Sequence, residues 1–96
     1  MPDDLPSDVR AVLTQLAEEG EAAVVSSEFD TARRTVSTAE TVSRNKLPES
    51  ELRAQLLHGC ERVSAALDDD RPDAAAEYLR AMARRLGTGD RETASG

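Results

Sequence analysis

The stretch from Leu16 to Val42, LAEEGEAAVVSSEFDTARRTVSTAETV, decides the fold. Before its polar break, Ser26-Ser27-Glu28, apolar residues fall at Val9, Val12, Leu13, Leu16, Ala17, Gly20, Ala23 and Val24. After the break they fall at Phe29, Ala32, Val36, Ala39 and Val42. Spacings of three and four make a helical stripe on each side. A break this short turns the second helix back along the first. Gly20 sits inside the first helix, where it costs about 1 kcal/mol against Ala. Without a Cβ it lets a partner helix come close.

Small residues recur where the two helices cross: Gly20, Ala32 and Ala39, with the larger Val36 between them and Phe29 at the turn. On those residues the stretch resembles one tetratricopeptide-type helix pair. The resemblance implies a tight helical hairpin. It departs from that pattern at Glu19, where an apolar residue is usual, at Ser27, where the turn Gly is usual, and at Arg44, where the terminal Pro is usual.

Working outward, Ser7 or Asp8 can cap the first helix, which is predicted to run to about Val25. The second is predicted from about Glu28 to Ser43. It is rich in β-branched residues that favour strands (Thr31, Thr35, Val36, Thr38, Thr41 and Val42), but its apolar positions do not alternate. Asn45-Lys46-Leu47 reads as a loop. Pro48 reads as the first residue of helix three, with Glu49 and Glu51 near its positive dipole end. Leu52, Leu56, Cys60, Val63 and Leu67 form that helix's stripe, with Gly59 beside it. Asp68-Asp69-Asp70-Arg71-Pro72 is a stop, and Asp70 reads as the cap of helix four. Ala75, Tyr78, Leu79, Met82 and Leu86 make the last stripe, and Gly87 reads as its C′ residue.

The chain is therefore predicted to be all-α: a four-helix bundle of two antiparallel helical hairpins with tetratricopeptide-like packing. The domain spans 7–87, between disordered segments at 1–6 and 88–96. The hairpins also read either as an internal repeat or as a chance similarity between Ala-rich helices. Gln15-Leu16 aligns with Gln55-Leu56, Glu21 with Glu61, and Asp30-Thr31-Ala32 with Asp73-Ala74-Ala75, if the second connection is three residues longer.

Composition supports this reading. The 96 residues contain fifteen Ala, ten Leu and seven Val against one Phe, one Tyr and no Trp, which is helix chemistry rather than strand chemistry. Net charge is −7, from 19 acidic and 12 basic side chains, and Lys46 is the one lysine. An acidic surface with Arg in place of Lys suits concentrated salt. There the Debye length falls to about 3 Å, and carboxylates cease to repel at range. MPDDLPSDVRAVL at the start, LLHGCE and AAEYLRAM are similar to a short haloarchaeal family of unknown function. That resemblance implies a small helical cytoplasmic protein and no particular activity. One cysteine excludes an internal disulfide. No apolar run approaches the ~20 residues of a membrane span, and Met1-Pro2-Asp3-Asp4 is unlike a signal peptide.

Little in the sequence points to catalysis. His58 and Cys60 are two apart on one helix, so they face about 200° away from each other and cannot share a metal. Cys60 belongs to the core stripe, and His58 to the surface near Ala54 and Arg62. Asp68, Asp69, Asp70 and Asp73 lack the spacing, central Gly and distal Glu of a calcium loop. No phosphate loop, Ser/His/Asp set or carboxylate pair is evident, and no cofactor or metal is predicted. The acidic balance and lack of stacking aromatics disfavour nucleic acid.

The candidate contact residues are arginines. Arg80, Arg84 and Arg85 crowd the end of helix four, where they suit the helix dipole or an anionic partner. Arg33, Arg34 and Arg44, with Lys46, make 29–46 locally basic, opposite the acidic Glu18, Glu19, Glu21 and Asp68 to Asp70. The sequence thus predicts a non-catalytic interaction or regulatory module with a protein partner or a second copy of itself. The rival is a small ligand-binding protein or enzyme with its site between the hairpins.

Overall fold

The computed structural model describes the backbone of residues 7–95 and the side chains of 7–87. It contains α1 (Ser7–Val25), α2 (Phe29–Lys46), α3 (Glu51–Asp68) and α4 (Pro72–Ser95), with no strand among the described residues. The 1–6 segment read as disordered lies outside the described residues, as do the side chains of 88–96. Each helix packs on two neighbours: α1 on α2 and α4, and α3 on α2 and α4. The backbones of the diagonal pairs α1/α3 and α2/α4 do not come close to each other, so four helices close a ring around one core. This is the compact four-helix bundle that the stripes imply.

Each hairpin is closed by a Schellman turn. In the first, Ser27 takes φ 62°, its N–H donates to Val24 O at 3.0 Å, and Glu28 N–H donates to Ala23 O at 2.8 Å. In the second, Asp70 takes φ 62°, its N–H donates to Leu67 O at 3.2 Å, and Arg71 N–H donates to Ala66 O at 2.8 Å. These bonds satisfy carbonyls that a helix end leaves open. Asp70 is thus the C′ residue of α3 and not the cap of α4: α4 begins at Pro72, and Arg71, whose carbonyl accepts from Ala75 N–H at 3.1 Å, stands at its N-cap position. Pro72 opens α4 as its first residue, which its fixed φ favours. Gly87 has no positive φ, and α4 continues through it to Ser95.

The α2–α3 connection also departs from expectation. Leu47 precedes a proline, which forces it out of the helical region; it sits at φ −100°, ψ 140°. Asn45 and Lys46 are therefore the last helical residues of α2, and the loop begins after them. Pro48 lies in that loop and does not open α3. Ser50 caps α3 instead, its Oγ accepting from Arg53 N at 3.2 Å. Leu47 is buried and ties the connection to the core.

The equal turns fix the internal repeat. Positions separated by 43 residues (27 to 70) correspond across the two turns, so neither connection is longer than the other. The buried residues Leu13, Ala17, Gly20 and Ala23 of α1 match Leu56, Cys60, Val63 and Ala66 of α3. Ala32, Val36, Ala39 and Ser43 of α2 match Ala75, Leu79, Met82 and Leu86 of α4. The alignment of Gln15-Leu16 with Gln55-Leu56 is displaced from this register. Val12 is 46% exposed and does not join the core, although its spacing placed it on the stripe. Gly20 does admit a close neighbour, chiefly from α4: a Cβ there would lie 3.3 Å from both Leu79 methyls and 3.7 Å from Thr35 Cγ2.

Candidate binding cleft between α3 and α4

The repeat isolates one surface on which the hairpins differ. On α1 and α2, the half-buried Leu16 and the small, buried Ala39 hold one such pair of places. At the matching places α3–α4 has Gly59 and Met82. Met82 fills the space Gly59 leaves: a Cβ on Gly59 would be 2.9 Å from its Sδ and 3.0 Å from its Cγ. The wall is lowered by the missing side chain, and a cleft of about 310 Å³ opens between the two helices.

Gly59 and Met82 lie at its base with Ala81, and Gln55, His58, Arg62, Tyr78 and Arg85 line it. The matching face of α1–α2 has Val12, Gln15, Glu19, Thr35 and Val42 at the latter five places, so one carboxylate and no cation. Both cleft guanidinium groups are held by neutral partners. Arg62 stands over the Tyr78 ring, 5.8 Å from its centroid. Arg85 Nη1 donates to Gln55 Oε1 at 3.1 Å. Neither makes an ion pair among the described residues. A shallower depression of about 140 Å³ continues past Arg62 and Tyr78 toward Asp69 and Arg71, whose charges offset each other.

Most of the other arginines singled out in the sequence are engaged. Arg33 pairs with Asp68 at 2.9 Å and Arg80 with Glu21 at 2.9 Å, each joining one hairpin to the other. Arg44 pairs with Glu40 at 3.0 Å within α2. These pairs are largely exposed, and each contributes about 0–1 kcal/mol. Arg34 and Arg84 are exposed on α2 and α4. Because α2 and α4 are diagonal in the ring, Arg33, Arg34 and Arg44 do not join Arg80, Arg84 and Arg85 in one site. With α4 running to Ser95, the latter three lie within the helix and not at its end. Of the six, Arg85 alone lines the cleft. The sequence placed His58 at the surface near Arg62 and Tyr78 on the core stripe, and made none of the three a contact residue. Their signal was present in the i, i+4 spacing of His58 and Arg62 on the side of α3 that carries Gly59.

Other chemistry is sparse. Cys60 is 1% exposed, and its thiol is pushed up from 9.0 to about 12. Burial is the main cause; Glu40 and Glu61 add to it, and Arg44 opposes it. It points into the core while His58 lines the cleft, as their spacing requires. Among the described residues no group of three or more His, Cys, Asp or Glu side chains is arranged to hold a metal ion. No helix among them is long and apolar enough to cross a membrane. An open depression of about 960 Å³ beside Arg10, Thr14 and Glu18 is walled by α1 alone and carries two carboxylates, Glu18 and Glu19.

The family described as Domain of unknown function (DUF8101) matches residues 1–88, and the chain belongs to it. No curated protein and no solved structure matches the chain.

Proposed function

We propose that this member of a family without an assigned activity is a non-catalytic interaction module that uses the α3–α4 face to engage a protein partner. The carrying observation is the contrast between the hairpins. Their buried positions repeat in one register, while the outer face changes from Leu16, Glu19 and Val42 to Gly59, Arg62 and Arg85. A core set by packing explains the first, and the demands of a partner outside the bundle would account for the second.

The filled interior favours this reading over a ligand-binding protein or enzyme with its site between the hairpins. Leu56, Leu79, Leu86 and Val63 are fully buried there. The first hairpin's tetratricopeptide-like pattern at Gly20, Ala32, Val36 and Ala39 fits a fold family used for partner binding, though α4 closes back on α1 here. The net charge of −7 fits a cytoplasm of high salt and argues against nucleic acid as the partner.

The test is affinity capture at native salt with the wild-type chain and with Arg62→Glu/Arg85→Glu. The reading expects a partner retained by the first and lost by the second. The same proteins retained by both would remove the α3–α4 face from the interaction.

A further inference from the structure

We infer that the α3–α4 cleft recognises an acidic, partly apolar peptide segment whose carboxylates are received by Arg62 and Arg85. The inference rests on the proposed role of this face and names the chemistry of its partner. In a chain of net charge −7, Arg33, Arg44 and Arg80 are paired with carboxylates. Arg62 and Arg85 rest instead on neutral supports, an aromatic face and an amide oxygen, as Arg10 does on the Leu86 carbonyl, and they alone of these bring their charge to the α3–α4 cleft. Both contacts orient a guanidinium without cancelling its charge. Each fork keeps free N–H donors, and a carboxylate is the planar acceptor that matches them. His58 adds a further donor on the α3 wall.

The base of the cleft is apolar. Met82 is a flexible thioether that adapts to varied side chains, and Gly59 and Ala81 leave room above it. An occupant therefore needs an anion flanked by apolar atoms. A bare inorganic anion would leave Met82 and Tyr78 unused. At about 310 Å³ the space is at the lower bound for small-molecule sites, about 300 Å³, and accommodates part of a peptide rather than a large ligand. The overall negative charge is no obstacle at an ionic strength of about 0.15 M. The Debye length there is about 8 Å, so a carboxylate in contact with Arg62 or Arg85 is held while acids on the far side of the bundle are screened.

The experiment is a titration of the full chain, followed by amide NMR shifts, with three probes: the capped peptide Glu-Leu-Glu-Leu-Glu, its Gln-for-Glu counterpart, and inorganic phosphate. The inference expects the acidic peptide to bind most tightly, and Arg62→Gln and Arg85→Gln each to weaken it about tenfold. Both arginines are exposed, so these variants should retain the fold. Equal binding of the Gln peptide would show that charge is not recognised and overturn the inference. Phosphate binding as tightly as the peptide would replace it with a small-anion site. Concentration-dependent self-association abolished by Arg62→Gln would make a second copy the occupant, and also overturn it. If the acidic peptide fails while Arg62→Glu/Arg85→Glu still abolishes capture, the chemistry assigned here falls and the interaction face stands. If both fail, both readings fall.

Discussion

Gly59 and Met82 occupy, on α3 and α4, the places that Leu16 and Ala39 occupy on α1 and α2: the large side chain has moved from one helix of the pair to the other. The exchange keeps the interface filled and lowers the outer wall where the cleft opens. Either substitution alone should cost stability, since a side chain at 59 would meet Met82 and Ala at 82 would leave a void.

A double-mutant cycle tests this pairing. Met82→Ala alone should cost about 2–4 kcal/mol as a cavity, and Gly59→Leu alone about 1–3 kcal/mol as overpacking. Together they should be milder than their sum by about 1–3 kcal/mol, because the pair reproduces Leu16 and Ala39. Denaturant unfolding gives each value. Simple additivity would contradict the register between the hairpins.

Ser27 and Asp70 hold left-handed backbone at the two hairpin turns. Side chains other than Gly and Asn are disfavoured there. Ser27→Gly should stabilise the bundle by about 0.5–1 kcal/mol, and Asp70→Gly by somewhat less, since Asp tolerates this region better. Thermal or urea midpoints provide the check. A destabilised Ser27→Gly would mean that the turn is formed differently.

Cys60 makes stability depend on alkaline pH. Its pKa is about 12 in the fold against 9.0 when unperturbed, so above pH 9 the unfolded chain releases a proton that the native chain retains. The unfolded state then binds fewer protons, and stability falls as pH rises from 9 toward about 12. Cys60→Ala should flatten that part of the profile relative to wild type. Ala17 fills the same place in the other hairpin, so the substitution suits the fold. In the native state Cys60 should also resist thiol reagents until the chain is denatured. Rapid native labelling would remove it from the core.

Salt should stabilise the chain. At an ionic strength of about 0.01 M the Debye length is about 30 Å, and the excess carboxylates repel across the whole bundle. At about 1 M only contacting pairs interact, and the exposed pairs Arg33–Asp68 and Arg80–Glu21 lose little by screening. The thermal midpoint should rise from dilute buffer to molar potassium chloride. A flat or falling midpoint would leave the acidic composition without a stabilising role in salt.

The helical stripes were legible because burial, once repeated at three and four residues, admits one secondary structure; α1 ends at Val25 where its apolar run stops. The second helix formed despite its β-branched residues because Ala32, Val36 and Ala39 bury against the core, and packing outweighs propensity. Its end was misplaced because the constraint lies outside the helix, in Leu47 preceding Pro48. Ser27 stood legibly in the slot where a turn Gly is usual, whereas Asp70 was assigned to α4 because an Asp does not advertise a left-handed backbone as Gly would. Once those turns are seen to be equal, the repeat register follows. The cleft was illegible for a different reason. It needs Arg62 of α3 beside Tyr78 of α4, and Arg85 beside Gln55, and those neighbours are set by how the helices pair.

The most direct test of the account uses the repeat as its own control. In one amide NMR titration with the capped Glu-Leu-Glu-Leu-Glu peptide, Gly59 and Met82 report on the proposed cleft. Leu16 and Ala39 report on the matching face that lacks Arg62 and Arg85. The account predicts saturable shifts at Gly59 and Met82 with Leu16 and Ala39 unmoved. Equal shifts at both pairs, or shifts confined to Leu16 and Ala39, would contradict it.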